Sequence, residues 1–400
     1  MSQAISSRRT FLLGAVLALA AAGMAFQLVR SPSVLLKLPL FDFAAFWSAG
    51  RLNHDGVDPY DPERLTELQH AAEPGQAGVL VMWPAPWALT LLTPFAFLDA
   101  GLAHLLWQLL MLGILVATAD WAWRFYGGAA DKRWIAWLLT FTFAPSLFVL
   151  VTGQFGPVLL LGFVAFLYFI RTGREGLAGA SLVLAAIKPQ LSLLFWLALL
   201  LWAVERKKWR LIAGGLIGVA VMLAVPLWDN PQLISQYWYA LTKRTQTHSH
   251  LSPLPAHALR LLFGYERMWL QFIPLVPGLL WLAWYWRRHR RNWDWSERLP
   301  ALLFASLLAA PYGAWPFDLV LLLPALLRST VALSNAPKSR IVPVACWWGT
   351  VNLLALFLVL AAVEYFWFLW MTPVLLLGCV LVDQSTRANR SPACGLAEDC

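Results

Sequence analysis

In an otherwise apolar chain, a few polar residues stand where they must be either paired or used. Asp42 lies in Phe41-Asp42-Phe43-Ala44-Ala45-Phe46-Trp47-Ser48-Ala49-Gly50-Arg51, the sole acid among aromatic and small neighbours. A carboxylate in such an interfacial setting is costly unless it has a partner or a task. The plainer alternative is an acid at a helix start, where it favours the macrodipole. Lys188 interrupts the apolar stretch Ala185-Ala186-Ile187-Lys188-Pro189-Gln190. A lysine there snorkels to the interface, contacts an anion such as phosphate, or pairs with Asp318, which follows Trp315-Pro316-Phe317.

Further polar groups surround these two. Arg51 falls on the face of a helix opposite Asp42, at about 100° per residue, and is placed to meet lipid or a substrate phosphate. Gln154 sits in the turn Gly153-Gln154-Phe155-Gly156-Pro157. The segment Lys243-Arg244-Thr245-Gln246-Thr247-His248-Ser249-His250, with His257 and Arg260 beyond it, gathers histidines and cations. Its histidines invite a zinc site, but His248 and His250 are spaced for a strand and no acid follows before Glu266. Hydrogen bonding to sugar or phosphate is the better expectation, and no metal or cofactor is expected. Asp61 before Pro62 predicts a helix N-cap, and Asp58-Pro59 a turn.

The elements that position these residues are membrane helices. The chain is 60% hydrophobic and only 13% charged, and its apolar residues come in long blocks, which match the roughly 20-residue span of a bilayer core. Many of the 24 tryptophans lie near block ends, as in an aromatic belt. The net charge of +9 sits in short loops between blocks, a positive-inside bias, not a nucleic-acid surface.

Placing the basic loops at 124–133, 171–174, 206–210, 287–298 and 338–340 in the cytoplasm threads the rest. A first helix over 11–29 leads to an external loop, 30–78. Residues 79–98 carry Pro84, Pro86 and Pro94. They are expected to be re-entrant or interfacial, because a full crossing would invert every later loop. A second external loop covers 229–269. The expectation is an all-α polytopic protein with about twelve crossings, short interfacial helices in its external loops and both termini cytoplasmic. It forms one transmembrane domain over 1–383, with a polar tail, 384–400.

The set of short motifs resembles glycosyltransferase family 87. It comprises Asp42-Phe43, Phe46-Trp47 and Ala49-Gly50-Arg51, then Gly56-Val57-Asp58-Pro59-Tyr60-Asp61, Trp83-Pro84-Ala85-Pro86, Gly153-Gln154, Lys188-Pro189-Gln190 and Pro311-Tyr312-Gly313-Ala314-Trp315-Pro316-Phe317-Asp318. The resemblance implies a GT-C fold in the plasma (inner) membrane with its site facing outward. It implies a polyprenyl-phosphate sugar donor, a glycolipid or glycan acceptor, inversion at the anomeric carbon, and Asp42 as the general base. Arg51, Gln154, Lys188, His248, His250, His257, Arg260 and Asp318 would contact substrate. The competing reading is a transporter or flippase, whose binding helices would break near the bilayer centre and repeat in inverted order. Here the broken segments fall on one side.

Overall fold

A computed structural model describes residues 39–75, 78–244, 252–334 and 336–387. The expected first helix, and His248 and His250, lie outside these residues. Among the described residues the regular structure is helical throughout, without strands. In chain order the α-helices are α1 (Phe43–His54), α2 (Pro62–Ala72), α3 (Leu89–Ala96), α4 (Ala100–Phe125), α5 (Arg133–Thr142), α6 (Ala144–Val151), α7 (Gly156–Arg171), α8 (Glu175–Ala185) and α9 (Leu193–Glu205). Then follow α10 (Trp209–Asp229), α11 (Leu233–Tyr239), α12 (Pro255–Phe263), α13 (Leu275–His289), α14 (Trp295–Ala309), α15 (Leu323–Leu333), α16 (Lys338–Leu360) and α17 (Met371–Arg387).

Six helical stretches are long and apolar enough to cross a bilayer: Ala100–Phe125, Trp209–Asp229, Met268–Asn292, Pro316–Leu333, Ser339–Leu360 and Tyr365–Ser385. A seventh is α5 with α6, if the pair counts as one span. The protein is thus an all-α, multi-pass membrane protein. Fewer helices pass this test than the expected twelve crossings because the first lies outside the described residues and α7, α8, α9 and α14 are only 16, 11, 13 and 15 residues long. At about 1.5 Å per residue such helices reach roughly half to four-fifths of a bilayer core. Residues 133–151 do not form one straight helix: α5 and α6 meet at a 63° bend. Pro145 has no amide hydrogen to give the carbonyl four residues back and its ring crowds that carbonyl, so a helix does not run on through it. The Ala144 amide freed at the break donates to Asn352 Oδ1 at 2.7 Å.

The described residues form two compact units. One holds residues up to Thr118 with Phe148–Lys188 and 207–244; the other holds Ala119–Leu147, Pro189–Arg206 and the described residues from 252 on. In the first unit α1 is a core element: ten of its 12 residues are buried. Gly50 lets it close on α3, where a Cβ would come 3.2 Å from that of Leu92. Trp47 Nε1 donates to the Leu98 carbonyl at 3.1 Å and Asn53 Nδ2 to that of Pro226 at 3.1 Å. Asp61 caps α2 as expected, accepting from the Glu63 amide at 2.9 Å. Residues 79–98 form a 3-10 turn over Pro86–Ala88 and then α3, whose eight residues span about 12 Å and cannot cross a bilayer.

The helix pair α8–α10 closes without side chains. A Cβ at Gly179 would overlap the Leu211 carbonyl oxygen, and one at Gly214 that of Gly176. Replacing glycine by alanine inside a helix ordinarily stabilises by about 1 kcal/mol. Gly179→Ala is expected to have the opposite sign, destabilising by about 1–3 kcal/mol through overpacking. A lowered Tm of the purified protein would register this, and a raised one would refute the contact.

In the second unit α14 packs against α9 and α13, and α15 against α17. Ser306 Oγ on α14 accepts from the amides of Leu194 and Phe195 at 3.1 and 3.4 Å, at the start of α9. Arg328 on α15 pairs with Glu297 on α14 at 3.0 Å.

Candidate functional site

Asp42 is brought to the start of α1 by an unusual backbone. Phe41 is a bulky residue in the left-handed region, with φ 48, a conformation that costs about 1–2 kcal/mol. It is held from both sides: the Leu40 amide donates to Glu73 Oε2 at 3.0 Å, and the Phe41 carbonyl accepts from the Ala44 amide at 3.1 Å. Asp42 then sits at the N-cap position, but its side chain makes no capping bond to α1. Its place at the helix start still favours the macrodipole, which needs no capping bond.

The Asp42 carboxylate reaches the turn before α7 instead. Gln154 Nε2 donates to Asp42 Oδ2 at 2.7 Å, and Lys188 Nζ donates to Gln154 Oε1 at 2.9 Å. One amide thus joins a cation to an anion. The orientation of that amide follows from its neighbours: a carboxylate only accepts and an ammonium only donates, so one arrangement of Gln154 satisfies both. Gln154 and Lys188 are 6% and 7% exposed. In such a site charge-assisted hydrogen bonds are stronger than in water. Three residues far apart in sequence form one polar chain inside the first unit.

Packing fixes the middle of that chain. Gly153 has φ 69, and a Cβ there would lie 2.8 Å from that of Phe43. Its carbonyl accepts from Trp107 Nε1 at 2.7 Å. Phe43 stacks on His104 with centroids 5.1 Å apart, and Phe46 meets Phe155 at 4.6 Å. These contacts of α4 with the turn were not foreseen; an isolated Trp or His inside a long apolar block carries no visible signal of position. Gly153→Ala should cost about 1–2 kcal/mol from the left-handed backbone alone, and more if Phe43 must move. The expected result is a lower Tm with a weakened Gln154–Asp42 contact.

The Lys188 turn is anchored on its other side by the proline-broken segment. The Ala85 amide donates to the Ile187 carbonyl at 2.9 Å, and Trp87 Nε1 to that of Val183 at 3.3 Å. The Trp83-Pro84-Ala85-Pro86 motif and the Lys188-Pro189 motif therefore meet in space.

The other expected site residues fall elsewhere. Arg51 donates to the Ala96 carbonyl at 2.8 Å and lies 3.4 Å from Asp55, tying α1 to α3. In the second unit, Asp318 is fully buried and its Oδ2 accepts from the Trp315 amide at 3.0 Å, in the first turn of the 3-10 helix Pro316–Leu322. Arg260 donates twice to the Tyr265 carbonyl, at 2.9 and 2.6 Å, and lies over its ring. His257 Nδ1 is 2.7 Å from Ser252 Oγ. Burial, helped by the Arg260 charge, pushes its pKa down to about 4, so near neutral pH it offers a hydrogen bond but no charge. Among the described residues no group of three or more His, Cys, Asp or Glu side chains is placed to hold a metal ion.

No curated protein and no solved structure matches the chain. The family model described as glycosyltransferase family 87 matches residues 85–311. That stretch contains Trp107, Gln154 and Lys188 and covers more than half of the sequence, so the chain belongs to glycosyltransferase family 87.

Proposed function

We propose that this glycosyltransferase moves a hexose, with mannose the simplest choice, from a polyprenyl phosphate to a glycolipid or glycan acceptor on the external face of the plasma membrane. The Asp42–Gln154–Lys188 chain carries this reading. Asp42 takes the proton of the acceptor hydroxyl. The acceptor oxygen bonds to the anomeric carbon from the side opposite the phosphate. The carbon–oxygen bond to phosphate breaks, and its electron pair leaves with the lipid phosphate. One carboxylate suffices for a single inverting displacement. The leaving group needs positive charge more than a proton, and Lys188 is the buried cation nearest the base along the bonded chain. Gln154 holds the two at a fixed separation, so that base and cation serve opposite ends of the same reacting carbon.

In this proposal His248 and His250 donate hydrogen bonds to sugar or phosphate. Arg51, Arg260 and His257 are already tied to Ala96, Tyr265 and Ser252, which favours Lys188 as the leaving-group cation. The threading belongs to the same proposal: a GT-C fold with about twelve crossings, both termini cytoplasmic, and residues 79–98 entering and leaving on the outer side.

The test is transfer by the purified protein in liposomes, with labelled polyprenyl-phosphate-mannose and a panel of glycolipid acceptors. Label should reach the acceptor with inverted anomeric configuration. Transfer from a water-soluble nucleotide sugar at a comparable rate, with none from the lipid donor, would defeat the proposal.

A further inference from the structure

In the second unit α5, α15, α16 and α17 line an open-sided cavity of about 620 Å³. Its walls are overwhelmingly aliphatic and aromatic, including Leu139, Leu326, Trp347 and Leu353. The few polar wall groups are turned back on the protein. Thr142 Oγ1 donates to the Leu138 carbonyl at 2.7 Å and accepts from Trp348 Nε1 at 2.9 Å. Asn352 accepts from the Ala144 amide and donates to the Trp348 carbonyl, at 2.7 and 2.9 Å. Thr330 donates to the Leu326 carbonyl at 2.8 Å. Nothing in the wall calls for a polar ligand. Gly349 faces open space, with no atom within 4 Å of where a Cβ would stand.

Charge distinguishes the two ends. Lys132 Nζ donates at 2.7 Å to the carbonyl of Ser334, itself a wall residue. Arg133 precedes wall residue Ile135 and is 3.5 Å from Asp120. Arg340 adjoins wall residue Ile341 and donates to the Ser385 carbonyl at 2.6 Å. Asp120, Asp131 and Asp383 are the acids near this end, and Asp120 is already engaged by Arg124 at 2.7 Å and Arg133 at 3.5 Å. Toward the other end, residues 141–151, 349–364 and 371–378 contain no basic residue. A guanidinium has five donors, so one already bonded to protein acceptors can add a phosphate oxygen to them. Basic ends of pockets between membrane helices suit anionic lipid headgroups, and such ends face the cytoplasm.

We propose that this cavity is a binding site for one anionic phospholipid of the cytoplasmic leaflet. One acyl chain fills the space beside Gly349 and the phosphate lies against Arg133, Arg340 and Lys132. A cavity of this volume is within the range of small-molecule sites, about 300–1,000 Å³. At membrane depth an apolar chain fills it without desolvating any polar group. The site is separate from sugar transfer and stands whether or not the proposed donor is correct.

The test uses the full chain in phosphatidylcholine nanodiscs with a trace of phosphatidylglycerol bearing a diazirine on its acyl chain. After irradiation, peptide mapping should place the adducts on residues 135–147 and 341–356. Their yield should fall about tenfold, a 1.4 kcal/mol change, when the probe is phosphatidylcholine. The same fall is expected in Gly349→Phe, whose ring would occupy the cavity. Adducts spread evenly over lipid-facing residues such as Ile217 on α10 would overturn the proposal, and this needs no variant. Equal labelling by both probes would remove the anionic headgroup. Displacement of the probe by polyprenyl phosphate would assign the cavity to a donor tail instead.

Discussion

Asp42→Asn should abolish nearly all sugar transfer, lowering kcat by about 10²–10⁴, the usual contribution of a positioned general base. The substitution is close to isosteric. An asparagine oxygen still accepts from Gln154 Nε2, so the bonded chain to Lys188 keeps its shape. What disappears is the ability to take the acceptor proton. Binding of the lipid donor, measured separately by isothermal titration or a fluorescent analogue, should be unchanged. Phe41 and Glu73 should hold the position as before, so Tm should move little. Turnover within a few-fold of the parent protein would remove Asp42 from the chemistry and leave it a structural partner of Gln154.

The second large effect is expected at Lys188. Lys188→Gln keeps a hydrogen-bond donor for Gln154 but removes the positive charge. Loss of a group that stabilises a developing anion typically costs about 10²–10³ in kcat. A buried charge-assisted hydrogen bond also supports the fold by about 1.5–3 kcal/mol, so Tm should drop as well. The two effects separate on comparison. A purely structural lysine would lose Tm and activity together. A phosphate-binding lysine loses turnover even at a temperature where the Lys188→Gln protein is fully folded. If Asp42 and Lys188 act as one unit, the double substitution should be little worse than the weaker single one, because residues that work together lose activity non-additively.

Much of this was legible from residue types and spacing, and the failures have physical causes. The long uncharged runs that became α4, α10 and α16 marked themselves, since a bilayer demands that length and composition. The Asp61-Pro62 cap was equally plain, because its bond is local. Asp42, Gln154 and Lys188 could each be singled out as polar groups in apolar surroundings. Their union could not, because 112 residues separate Asp42 from Gln154, and 34 separate Gln154 from Lys188. Spacing along a chain does not encode which distant turns meet. The uses of Arg51 and Arg260 were hidden for a related reason: both bond backbone carbonyls, and every residue offers one. The bend at Phe143 depends on Pro145 together with Asn352, and only the first is visible locally.

Those same separations set an order of events during synthesis. When α1 emerges from the ribosome, the partner of its Asp42 has not yet been made, and it arrives only 112 residues later. The cation follows after a further 34. Packing of α1 on α3 needs only residues made before Gln154. Closing the polar chain is consequently the late step, and a nascent chain arrested before Gln154 would hold α1 in place while its Asp42 carboxylate is still open to a carboxyl-directed reagent.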